Sequence, residues 1–90
     1  MTEIKQSEIF TPIGFRRCAL GSEVCYKGPD GRYYRVSRFG DRYVAEYAQT
    51  EREAKTGLFF DVDSYGDSLP KSELLRLIQR DLRACSEKKS

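Results

Sequence analysis

Asp61, Asp63 and Asp67 fall within seven residues of one another in the stretch "LFFDVDSYGDSLPKSE", residues 58–73, with Tyr65 set among them. Carboxylates at that spacing can ligate calcium, hold magnesium, work as a general acid and base, or face a basic partner. An EF-hand loop needs oxygen ligands at positions 1, 3 and 5, Gly at 6 and a bidentate Glu at 12. Counted from Asp61, positions 1, 3 and 6 fit as Asp61, Asp63 and Gly66, but position 5 is Tyr65 and position 12 is Ser72. Glu73 comes one residue too late, so the calcium pattern fails. Catalysis finds no further support, because no phosphate-cradling glycine loop, nucleophile elbow or positioned base accompanies the acids. The chain also has no histidine, which removes the commonest general base and transition-metal ligand together. The expectation is a protein without catalytic residues, metal or cofactor.

Part of the acidity has a local explanation. Asp67 and Ser68 precede a helix that starts near Pro70, where negative charge and capping oxygens are favourable. Asp61 and Asp63 are left without such a job. With Glu51, Glu53, Tyr65 and Asp67 they form the candidate partner-binding set, in which Tyr65 would be an aromatic anchor among charges. Residues 46–67 hold six acids against two bases, a net of −4, whereas residues 16–42 hold seven Lys/Arg against three acids, a net of +4. The chain's net charge of +2 conceals this polarity. Such segments make two opposite surface patches, or cancel if they pack side by side.

The basic segment interleaves arginine with aromatics: Arg32, Tyr33, Tyr34, Arg35, Arg38, Phe39, Arg42 and Tyr43. That composition suits a platform for single-stranded nucleic acid, with Arg32, Tyr33, Arg35, Arg38 and Arg42 as the alternative binding set. It lacks the glycine-aromatic run of an RNP motif, and strand alternation sends Tyr34 toward the core.

The elements that must position these residues follow from turn chemistry and periodicity. "GFRRCAL" and "EVCYK" flank Gly21-Ser22, a two-residue hairpin turn with Gly in its first position. "GPDG" at 28–31 is a second turn, and Gly40-Asp41 joins "RYYRVSR" to "RYVAEYA". Tyr, Val and Phe fill these runs, as strands prefer. The third turn sets Val36 opposite Ala45, Tyr34 opposite Tyr47 and Arg35 opposite Glu46. Tyr34, Val36, Ala45 and Tyr47 then share a core face, while the Arg35–Glu46 pair, Ser37 and Val44 face solvent. Residues 1–10 read as ambiguous, a short helix broken near Pro12. Thr50 and Glu53 have capping-box spacing, Glu51 and Lys55 sit at i,i+4, and Gly57 suits the position after a helix end. "LFFDV" reads as a short strand or an apolar plug. From Pro70 onward, Leu74, Leu75, Ile78, Leu82 and Cys85 recur on one helical stripe opposite Arg76, Arg80 and Arg83. The fold class is α+β: a single domain with an antiparallel four-stranded β-meander packed against a C-terminal amphipathic helix, and a short helix at about 50–57.

Cys18 and Cys25 stand opposite each other across the first turn, at a separation that a disulfide tolerates. The N-terminus "MTEIKQSEIF" lacks a basic start and an apolar h-region, and no apolar run is long enough to span a membrane. The expected location is cytoplasmic, which favours free thiols over the crosslink.

The run from "GRYYRVSRFGDRYVAEYA" through "TEREAKTGLFFDVDSYG" to "LPKSELLRLIQRDL", residues 31–82, resembles small bacterial immunity proteins encoded beside polymorphic toxins. The likeness lies in the order of hairpin, short helix, acidic segment and amphipathic helix. It implies a non-enzymatic inhibitor with one cognate protein partner, a basic toxin or nuclease domain, whose cleft an acidic patch would block. A nucleic-acid-binding module and a phage-type inhibitor of a host nuclease are the alternatives.

Overall fold

The computed structural model describes residues 4–21, 23–66 and 68–87. The elements are α1 (Gln6–Phe10), a 3-10 turn (Thr11–Ile13), β1 (Arg16–Leu20), β2 (Glu23–Lys27), β3 (Tyr33–Phe39), β4 (Arg42–Ala48), α2 (Glu51–Lys55), β5 (Phe60–Gly66) and α3 (Lys71–Glu87). The fold is α+β: an antiparallel sheet in the order β1-β2-β3-β4-β5 with a C-terminal helix.

The four expected strands form in the expected register. Leu20 pairs with Glu23 and Cys18 with Cys25, while Tyr34 pairs with Tyr47, Arg35 with Glu46 and Val36 with Ala45. Gly21 and Gly40 open the two hairpin turns at φ 63° and 64°, the left-handed region that a first central turn residue of this kind requires. The strand count, however, is corrected from four to five. Residues 60–66, the acidic stretch, pair along β4 as a full strand. The reason lies in β4, where Tyr43, Val44, Ala45, Glu46 and Ala48 are all buried. A strand so enclosed must satisfy the backbone N–H and C=O groups on both its sides, and β5 supplies the second side.

The three helices take up their expected places. Thr50 Oγ1 accepts the Glu53 amide at 3.1 Å, Glu51 meets Lys55 at 3.3 Å, and Gly57 ends α2 at φ 78°. Helix α3 buries Leu74, Ile78 and Leu82, with Leu75 and Cys85 at the margins. Arg76, Arg80 and Arg83 lie on its exposed side. Helix α1 is tied to α3 by Gln79, whose Nε2 donates to the carbonyls of Glu8 and Ile9 at 3.1 Å each, and by a 2.9 Å Lys71–Glu8 ion pair. Among the described residues, strand β2 pairs with β3 only through Tyr26–Tyr34 and Lys27–Tyr33. Beyond that pairing, the Val36 amide donates instead to Gln6 Oε1 of α1 at 3.0 Å.

Both faces of the sheet carry apolar clusters, which corrects the expectation of one core face and one solvent face. On one face, Tyr26, Tyr34, Tyr43, Ala45 and Tyr65 pack with Ile9, Phe10, Phe15, Leu74, Ile78 and Leu82. On the other, Leu20, Cys25, Tyr33 and Ala48 pack with Ala54 of α2, and Phe59 closes over them. The expected ion pair forms, Arg35 Nε to Glu46 Oε1 at 2.8 Å, yet Glu46 is only 7% exposed. The Phe59 ring lies 4.0 Å from the Arg35 guanidinium, and Ser37 Oγ donates to the same carboxylate oxygen at 3.1 Å.

Candidate functional site: an acidic sheet edge

Strand β5 lies at the edge of the sheet, and among the described residues no strand pairs with its outer side. Its register against β4 slips between Ala45 and Glu46. Glu46 pairs with Asp61 and Ala45 with Asp63, which leaves Val62 as the extra residue of a bulge. In a regular strand Asp61 and Asp63 would share a face. The bulge sends them to opposite faces, Asp61 beside Glu46 and Phe59, Asp63 toward Tyr65 and α3. Both are exposed. The Asp63 carboxylate accepts its neighbour's amide, Ser64 N, at 2.8 Å, which caps one donor of an otherwise open edge. Charges on an edge strand also discourage indiscriminate pairing with other chains. Asp63 thus has a structural job that the sequence did not reveal, and Asp61 opposite Glu46 sets two acids face to face, a pairing destabilising in itself.

Tyr65 is corrected from surface anchor to core residue. It is 8% exposed and belongs to the larger cluster, with its hydroxyl donating to Asp81 Oδ2 of α3 at 2.5 Å. Burial, reinforced by that hydrogen bond, holds its phenol well above the ordinary tyrosine range. For Asp81, burial alone would raise the pKa. The hydrogen bonds from Tyr65 and Arg80 outweigh it, and the carboxyl lies below its usual value. Tyr34 repeats the arrangement, its hydroxyl donating to Asp30 Oδ2 at 2.9 Å, and burial foremost raises its phenol as well. These shifted groups tie helix or turn to sheet.

The rest of the candidate acidic set is dispersed. Glu53 is occupied with the cap of α2, where Oε1 accepts the Gln49 amide at 3.0 Å. Glu51 is exposed but shared with Lys55. Asp67 lies outside the described residues. The alternative nucleic-acid set does not assemble into a platform either. Tyr33 is buried in the smaller cluster, so its ring is closed to stacking. Arg35 is held by Glu46 and Phe59. Strand alternation places Arg42 on the same face as Arg35, whereas Arg38 stands by Tyr43 and Arg32 by Tyr47 on the other. A charge count along the chain cannot detect this split, which follows from strand period alone.

Two apolar residues beside the acids were missed. Leu58 is 52% and Phe60 43% exposed. Phe60 pairs with Tyr47 across the strands, ring centroids 5.8 Å apart. The run "LFFDV" held the signal, because three large apolar residues in a row cannot all enter one core. Leu58, Phe60 and Asp61 are thus all exposed at the start of an open strand, Phe60 on the face of Tyr47 and Asp61 on the opposite face beside Glu46. Comparison of the chain with protein-family models, with curated protein sequences and with solved structures returns no match.

Proposed function

We propose that the chain is a non-enzymatic protein that binds and inhibits one basic protein partner, in the manner of a toxin immunity protein, and that it does so through the β5 edge. One observation supports this reading above the others: an edge strand whose outer side has no described partner strand, at whose start exposed Leu58 and Phe60 come just before exposed Asp61. Acids at such an edge speed encounter with a basic surface, and the gain shrinks as salt screens it. Apolar side chains excluded from water at the centre of the contact then slow dissociation. With Tyr65 enclosed in the core, Phe60 takes the anchoring role. A cytoplasmic location fits such a role, and no described helix is long and apolar enough to cross a membrane.

The test is affinity capture from the native cell, run in parallel with the wild type, Asp61→Lys and Phe60→Ser. A basic protein held by the wild type, released by raised salt and lost with Asp61→Lys supports the reading. Kinetics on the captured partner should then show Asp61→Asn slowing association and Phe60→Ser speeding dissociation. Equal retention by all three proteins removes the β5 edge as the interface. Capture of an acidic protein or of nucleic acid removes the inhibitor reading.

A further inference from the structure

The hairpin β1–β2 brings two thiols together that nothing above uses. Cys18 and Cys25 are direct partners in its register, and neither is in a disulfide. The two-residue turn makes Leu20–Glu23 a hydrogen-bonded pair, so Cys18–Cys25, two steps on, is hydrogen-bonded as well. The Cα atoms of such a pair lie about 5.5 Å apart, inside the roughly 4.4–6.8 Å span of disulfides. Both side chains lie on the face covered by α2, with Leu20, Tyr33, Ala48 and Ala54. Their exposure differs: Cys25 is 0% exposed, whereas Cys18 is half-buried. The third thiol, Cys85, sits on α3 against the opposite face of the sheet, where neither hairpin thiol can reach it.

We propose that Cys18 and Cys25 are a site of reversible oxidation, which takes a small-molecule disulfide as oxidant and staples the β1–β2 hairpin. The two thiols have separate roles. Cys18, the one a reagent can reach, attacks the small disulfide as its thiolate. A mixed disulfide forms, and one small thiol leaves with the proton given up by Cys18. The sheltered Cys25 thiolate then attacks the Cys18 sulfur and expels the second small thiol, which takes up the Cys25 proton. The two cysteines are oxidised, and one small disulfide is reduced to two thiols. The consequence lies in how the hairpin is held. Strand β1 is the other edge of the sheet, where among the described residues it pairs with β2 alone, and β2 meets β3 over two residue pairs. A covalent link between β1 and β2 therefore restrains a weakly anchored part of the fold.

The experiment exposes the full chain to oxidised glutathione, reads intact mass and maps peptides without reduction. The wild type should lose two hydrogens, with the link in a peptide pair containing Cys18 and Cys25. Cys85→Ser should do the same. Cys25→Ser should stop at a glutathione adduct on Cys18, and Cys18→Ser should leave Cys25 unmodified. In the oxidised wild type, amide exchange in β1 should slow and the thermal midpoint should rise, both reversed by a dithiol reductant. The wild-type map needs no variant to fold. A wild type that carries only an adduct on Cys18, or a bond that involves Cys85, overturns the proposal. Oxidation of Cys25 at an equal rate in Cys18→Ser overturns the order of attack.

Discussion

The two faces of the sheet reach burial by different means. The face under α1 and α3 is a conventional core, in which Ile9, Phe10, Tyr34, Ile78 and Leu82 are enclosed and the phenolic hydroxyls of Tyr34 and Tyr65 find partners on Asp30 and Asp81. The face under α2 is smaller and more polar. A short helix contributes Ala54, one ring contributes the lid, and the space between is filled by the Arg35–Glu46–Ser37 network. The difference teaches that a five-residue helix cannot cover a sheet by itself. The rest of that face stays dry enough to bury a glutamate because Phe59 covers an arginine that is already paired.

Predictions follow from this contrast, taken from the largest effect to the smallest. Ile78 lies at the middle of the first core, so Ile78→Ala should cost about 2–5 kcal/mol, read from denaturant midpoints. A loss well under that value would mean that α3 supplies less of the core than its burial indicates. On the second face, Glu46→Ala removes the acceptor of both Ser37 and Arg35 and should cost about 1–3 kcal/mol. If Glu46→Ala matches the wild type in thermal melts, the polar network is incidental and the second face is held by α2 alone.

Tyr65→Phe should cost about 1 kcal/mol through loss of its hydrogen bond to Asp81. The same pair makes stability depend on pH. A phenol whose folded pKa is raised adds stability that is fully present below the ordinary tyrosine pKa and is lost as pH rises toward the folded value. Wild-type stability should therefore fall above the usual tyrosine range, more steeply than in a Tyr34→Phe, Tyr65→Phe double variant. Asp81, held below its usual value, adds stability that is lost as pH falls through its folded pKa. Tyrosinate absorbance followed through an alkaline titration, taken as the difference between the wild type and that double variant, should show Tyr34 and Tyr65 ionising above the ordinary tyrosine range. A difference signal that rises within the ordinary tyrosine range would contradict it. The smallest effect belongs to the surface. Arg76 pairs with Glu73 at 2.7 Å but is 75% exposed in its side chain, so Arg76→Ala should change stability by about 0–1 kcal/mol.

Much of the local structure on both faces could be read along the chain, because periodicity and turn chemistry are local properties. The stripe of Leu74, Ile78 and Leu82, the capped start of α2 at Thr50 and the register that opposes Arg35 to Glu46 all depend on residues near in sequence or joined by a short turn. The candidate site was less legible. Asp61, Asp63 and Tyr65 alternate as residues of one strand face should, and nothing in their spacing marks the bulge at Val62 that separates the two aspartates.

What the sequence alone determined is therefore the set of local structures: three Gly-containing turns, two hairpins in register, a capped short helix and a long amphipathic one. Turn chemistry, capping hydrogen bonds and helical period act over a few residues, and their signals survive in the order of the letters. Tertiary structure decided the rest. It made a strand of the acidic stretch because β4 needed a second line of hydrogen bonds. It buried Tyr65 because α3 offered Asp81 to its hydroxyl, and it gave each of the two faces between which strand period divides the arginines its own cover. These outcomes depend on which surfaces meet across the sheet, where the free energy of burial is shared among residues distant in sequence.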